Sequence, residues 1–71
     1  MAREIKLETG GSVWKVWVKE GDLVDQDQEL FIMEVMKMEV PYETPVSGKI
    51  VKLSIAEGDV LEEDHIAVII D

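Results

Sequence analysis

Two stretches of the chain alternate apolar and polar side chains with the period of a strand. Trp14, Val16 and Val18 alternate with Lys15, Trp17 and Lys19. Val51, Leu53 and Ile55 alternate with Lys52, Ser54 and Ala56. A period of two predicts strands, with the first set of each as the inward face. Gly21-Asp22 and Gly58-Asp59 then close each strand with turn chemistry. Short apolar pairs follow, Leu23-Val24 and Val60-Leu61, then an acidic turn, then an apolar strand over 30–35 and 66–70. The one stretch that resembles a helix, 57–65, opens near a Gly-Asp turn and matches 20–28, so it reads as turn and bridge.

These parallels form a repeat. Sliding the chain by 37 residues lays 11–34 on 48–71 without a gap. Seven positions coincide: Gly11/Gly48, Lys15/Lys52, Glu20/Glu57, Gly21/Gly58, Asp22/Asp59, Asp27/Asp64 and Ile32/Ile69. Many others pair one apolar residue with another. The pattern predicts an all-β fold of two similar halves about an approximate two-fold axis. Neither half has enough core alone, so their apolar faces cover each other in a flattened β-barrel or small sandwich. Residues 1–71 read as one unit, its quasi-repeats joined by 35–47. The symmetry mate of that joining segment is where the chain begins and ends, which places Lys37 at the far end from the termini.

Residues 30–44 are too long for a single strand of ordinary length. A hairpin with an even-numbered loop puts Phe31, Met33 and Val35 on one face with Met38, Val40 and Tyr42. An odd-numbered loop would put Glu39, Pro41 and Glu43 there, since a one-residue slip exchanges the faces. The simplest even loop is Met36-Lys37. Type I′ loops need positive φ twice and favour Asn-Gly, so Met-Lys is a poor choice. The same register sets Glu34 opposite Glu39, a mildly unfavourable like-charge pair. Local rules broken together at an exposed tip point to function. The alternative is an ordinary surface lysine on an untidy turn, and the physics leaves both open.

Composition narrows the classes. The chain has 71 residues, no cysteine, one histidine and a net charge of −9. Disulfides, thiolate metal sites and cysteine nucleophiles are excluded, and the lack of disulfides suits a reducing compartment such as the cytoplasm. The acidic balance argues against nucleic acid and against an anionic membrane surface. No apolar run approaches the ~20 residues of a membrane span. No Ser-His-Asp set, metal site or phosphate loop is visible, so the expectation is a protein with no catalytic residue. His65 reads as surface, and Glu62-Glu63-Asp64 as a solvated loop without EF-hand spacing. Trp14 falls in the inward phase and reads as core; Trp17 falls in the outward phase. Pro41 and Pro45 suggest that the strand after the turn lies at an edge or ends early.

The stretch Glu34-Val35-Met36-Lys37-Met38-Glu39-Val40-Pro41 resembles the attachment motif of biotinyl domains. So do Gly11-Ser12-Val13 through Glu20-Gly21-Asp22, and the later P-V-S-G-K-I and E-G-D-V-L. The resemblance implies two four-stranded antiparallel sheets forming a barrel-sandwich hybrid. It implies that Lys37 carries biotin through an amide, with Met36 and Met38 as motif residues that aid recognition. Glu34 and Glu39 stand as recognition groups or as neutral surface. Such domains are carriers, not enzymes. Their implied partners are a biotin protein ligase and the biotin carboxylase and carboxyltransferase of a carboxylase system. Val35 departs from the usual alanine before Met36 and bears on the shape of the turn. No inserted thumb loop interrupts 16–29, as in small biotin/lipoyl attachment proteins.

Two alternatives remain. A lipoyl carrier shares the fold and the exposed lysine, but typically has an acidic residue just before it, where this chain has Met36. An unmodified β-barrel interaction module would keep its function after Lys37→Arg, whereas a carrier would lose it.

Overall fold

The computed structural model describes residues 2–71. Its strands are β1 (Arg3–Lys6), β2 (Gly11–Val16), β3 (Leu23–Val24), β4 (Glu29–Val35), β5 (Met38–Glu43), β6 (Gly48–Leu53), β7 (Val60–Leu61) and β8 (Ile66–Ile70). No helix occurs among the described residues. The strands pair antiparallel in two four-stranded sheets, ordered β1-β8-β6-β3 and β5-β4-β2-β7. A shift of 37 residues turns β2, β3 and β4 into β6, β7 and β8, and turns β1 into β5. The order of one sheet is therefore the order of the other.

The repeated Glu-Gly-Asp triplets explain how each half folds. Gly21 and Gly58 take φ of 93° and 94°, a region that disfavours side chains. Their N–H groups reach across to the Ile50 and Val13 carbonyls at 2.7 and 2.8 Å. The Asp22 and Asp59 carboxylates accept the N–H of Lys19 and of Ala56, both at 3.0 Å. β3 and β7 are only two residues long, so the strands beside them outrun their partners. The glutamates fill the gap: Glu20 Oε2 accepts the Leu53 N–H at 3.0 Å, and Glu57 Oε2 the Val16 N–H at 3.2 Å. Each triplet thus ties its own half to the other and satisfies open backbone donors.

The core lies between the sheets. Phe31, Met33 and Val13 meet Ile50, Val68 and Ile70, all essentially without solvent contact. Phe31 stacks on Tyr42 with ring centroids 4.8 Å apart, and the Tyr42 hydroxyl accepts the Glu8 N–H at 3.0 Å. Thr44 is fully buried but satisfied, its hydroxyl donating to the Val46 carbonyl at 2.5 Å and accepting the Val46 N–H at 3.2 Å.

Two inward assignments are corrected. Trp14 is 43% exposed and Val51 47% exposed. Val13 pairs with Met33 and Lys15 with Ile32, so Trp14 is the extra residue of a β-bulge; Val51 holds the same place between Ile50 and Lys52. A bulge flips the face of every residue beyond it. Val13 points inward before it and Val16 and Val18 after it, which an unbroken alternation cannot express. β1 is a further addition, because in its Arg-Glu-Ile-Lys only Ile5 is buried.

The Lys37 hairpin lies at one end of the domain, whose extents are 32 × 17 × 17 Å. At the far end of β4 and β5, Thr44 exchanges backbone hydrogen bonds with Asp27 and Gln28. The chain then passes Val46 and Ser47, which line a cleft of about 250 Å³ with Ala2, Arg3, Ile70 and Asp71. Ala2 and Asp71 therefore lie at the opposite end from Lys37.

Candidate functional site

The hairpin has the even register. Phe31 faces Tyr42, Met33 faces Val40, and Val35 faces Met38 in the last rung, leaving Met36-Lys37 as the loop. Both loop residues have positive φ, 51° and 66°, as a type I′ turn requires. Neither is glycine or asparagine, and each such residue in the left-handed region costs roughly 1–2 kcal/mol. The tip holds because its base is fixed: β4 lies between β5 and β2, and Phe31 and Met33 are fully buried. β5 is an edge strand that ends at Glu43, so Pro41 breaks no ladder of a central strand.

Lys37 is exposed, and no described residue holds its side chain by a hydrogen bond or ion pair. Met36 is 91% exposed. Met38 lies on the apolar face but beyond the edge of the core, and is 69% exposed. A primary amine thus projects between two flexible thioether side chains, which adapt to more than one partner surface. Glu34 and Glu39 face each other one rung below Val35 and Met38, and both are exposed. Val35 is half-buried against the core and closes the loop in register, so its extra bulk leaves the turn at two residues.

Sequence reasoning missed Gly11, which lets β2 approach this hairpin. A Cβ there would meet the Glu34 carbonyl oxygen at 2.5 Å and Val35 Cγ2 at 3.0 Å. Its position opposite Leu61 and against the Glu34 carbonyl is a property of the assembled sheet, though its match to Gly48 was a signal. His65 lies on the other sheet's side of the fold, its Nε2 3.3 Å from the Ser54 carbonyl oxygen. No group of three or more His, Asp or Glu among the described residues is placed to hold a metal ion.

A family model described as "Biotin-requiring enzyme", the biotin/lipoyl family, matches residues 1–70. The chain belongs to the biotin/lipoyl attachment family. It is 41% identical over 70 residues to the biotinylated protein TB7.3 homolog of Mycobacterium leprae, covering 97% of this chain and 99% of that one. It is 37% identical over 62 residues to the biotin/lipoyl attachment protein of Bacillus subtilis, covering 87% and 85%. The crystal structure of Kluyveromyces lactis urea carboxylase contains the same fold, with a TM-score of 0.90 and 30% identity. That match covers all of this chain and 6% of the carboxylase chain. Members of the biotin/lipoyl family thus occur both at this size and within much longer carboxylases. No described helix of this member is long and apolar enough to cross a membrane.

Proposed function

We propose that residues 1–71 act as one biotin carrier unit, with Lys37 as the attachment residue. The observation that carries this is the tip itself. A lysine with no partner among the described residues sits on a strained two-residue turn between two exposed methionines, in a chain of the biotin/lipoyl family. A biotin ligase activates the biotin carboxyl as its adenylate; the lysine nitrogen attacks, AMP leaves, and an amide forms. A lysine amine in water is protonated at neutral pH and must shed that proton first. We assign the base that takes it to the ligase.

Bound biotin supplies a ring nitrogen that takes up and releases a carboxyl group on carboxylase partners. The chain's part is to tether and present it. A rigid hairpin on a small barrel keeps the arm clear of the body and at an effective concentration in the mM range. A cysteine-free chain whose partners consume ATP is read as working in the cytoplasm.

Lipoate is the second reading. Met36 stands where lipoyl carriers typically have an acidic residue, and this favours biotin. The deciding experiment is incubation with a biotin ligase, biotin and ATP, followed by intact-mass measurement and peptide mapping. One biotinyl increment on Lys37 is expected, and none after Lys37→Arg. Absence of the increment under conditions that modify a known acceptor overturns the biotin reading. A mass gain only with a lipoate ligase would establish the rival.

A further inference from the structure

The outer face of the Lys37 sheet differs from its symmetry mate in a way folding does not require. Phe31, Met33, Val40 and Tyr42 turn toward the core, so Ile32, Glu34, Glu39 and Pro41 face outward on β4 and β5. Trp14 stands out of the β2 bulge beside Ile32. Trp17, 55% exposed, sits just past β2, and its Nε1 donates to Glu29 Oε2 at 2.6 Å. In the other sheet the same two places hold Val51 and Ser54. The backbone there is unchanged: Ser54 N–H bonds the Ala67 carbonyl at 2.8 Å, as Trp17 N–H bonds Leu30 at 2.9 Å. Valine and serine satisfy the fold at these positions, so the two indoles are surplus to it.

The charges differ in the same way. Strands of the Lys37 sheet carry Glu29, Glu34, Glu39 and Glu43 against the single cation Lys15. Strands of the other sheet carry Arg3, Lys6, Lys49 and Lys52 against the single anion Glu4. One face is acidic and aromatic; the other is basic and has no aromatic residue.

We propose that the Trp14–Trp17 face docks the enzyme that modifies Lys37, through a basic, arginine-bearing surface of that enzyme. This rests on the carrier reading given above. The unmodified lysine has only its own short chain, so the attaching enzyme must touch the tip. Trp14 lies beside Ile32, about 17 Å from the tip at the rise of a strand. A contact of standard size, ~800 Å² per partner and roughly 30 Å across, extends that far. Enzymes that act on the loaded arm gain its length and have less need of this face. An arginine guanidinium stacks on an indole while pairing with a carboxylate, and Trp17 with Glu29 offers both at once. Lys15 Nζ already sits 5.7 Å from the Trp14 ring centroid, so this ring face attracts a cation.

The test gives each tryptophan its symmetry mate's residue: Trp14→Val with Trp17→Ser, in the whole chain. Biotin transfer to Lys37 is followed by intact mass, using a biotin protein ligase, biotin and ATP. The expected result is a KM for the carrier raised at least fivefold, with turnover at saturation within twofold of wild type. Lys49→Gln with Lys52→Gln, on the opposite sheet, should leave KM unchanged. Far-ultraviolet circular dichroism and the thermal midpoint show that each variant is folded. Wild-type KM should also rise with salt, and less so in Glu29→Gln/Glu43→Gln. Modified wild type with unchanged KM in the folded tryptophan variant overturns the docking face alone. Unmodified wild type overturns the carrier reading, and the docking face with it.

Discussion

Met36 and Lys37 stand side by side in the left-handed region, at φ of 51° and 66°, with no glycine in the turn. The conformation is imposed by the strands, so relieving it should stabilise the fold. Met36→Asn places at the first loop position a residue that tolerates this region. We expect unfolding free energy to rise by about 0.5–1 kcal/mol, seen as a higher urea midpoint at unchanged slope. The same change removes a 91% exposed thioether from the motif and should slow biotin transfer. A midpoint that does not move would show that the tip stores no strain.

Asp22 and Asp59 play one role twice, each accepting a backbone N–H three residues earlier at 3.0 Å. Asp22 also has the Lys19 ammonium at 3.4 Å, but the Lys19 side chain is 84% exposed. Exposed pairs contribute little. Asp22→Ala and Asp59→Ala should therefore destabilise by similar amounts, about 1 kcal/mol each. A much larger loss for Asp22 in chemical denaturation would assign real weight to the ion pair.

Two glycines should respond differently to one methyl group. At Gly11 the methyl carbon meets a backbone carbonyl at 2.5 Å, and β2 must move off β4 to admit it. At Gly21 nothing lies within 4 Å, and only the φ of 93° resists. Gly11→Ala should cost about 2–3 kcal/mol and Gly21→Ala about 1 kcal/mol. The shift at Gly11 also reaches Glu34 and Val35, so biotin transfer to Lys37 should fall in that variant and persist in Gly21→Ala. Equal losses of stability would contradict the close β2–β4 approach.

The parts of this molecule that were legible in sequence are those that depend on local period and on the repeat. Val16 and Val18, the Gly-Asp turns and the apolar runs near 30 and 66 placed most strands, and face matching alone opened the Met36-Lys37 turn. Trp14 was misplaced because an apolar bulge residue looks like one more inward residue. Only the pairing of Val13 with Met33 and Lys15 with Ile32 exposes the skipped position. β1 was missed residue by residue because its partner β8 is 60 residues away and three of its four side chains are exposed and charged. The repeat held the missing signal: β1 is the mate of β5, with Ile5 at the place of Tyr42 and Leu7 at that of Thr44, all four buried. The Trp14–Trp17 face was invisible for a different reason, since it exists only once three strands lie side by side.

The two-fold repeat allows a sharper separation of tip from face. Arg3 pairs with Ile70 at the place where Val40 pairs with Met33. Asp71 and Ala2 are thus the mates of Glu34 and Glu39. Joining Asp71 to Ala2 through Val-Met-Lys-Met, and opening the chain between Met36 and Lys37, moves an identical tip to the opposite end. The strand pairs are all retained, so the permuted chain should fold, with an unfolding midpoint close to that of the original. Its new lysine sits above Arg3, Lys6, Lys49 and Lys52 in place of the tryptophans and glutamates. A ligase that reads only the Met-Lys-Met turn will modify it at the normal rate. A ligase that also reads the acidic, aromatic face will modify it at least tenfold more slowly at subsaturating carrier, which is the outcome expected here. Adding Val51→Trp and Ser54→Trp to the permuted chain should then recover part of the loss.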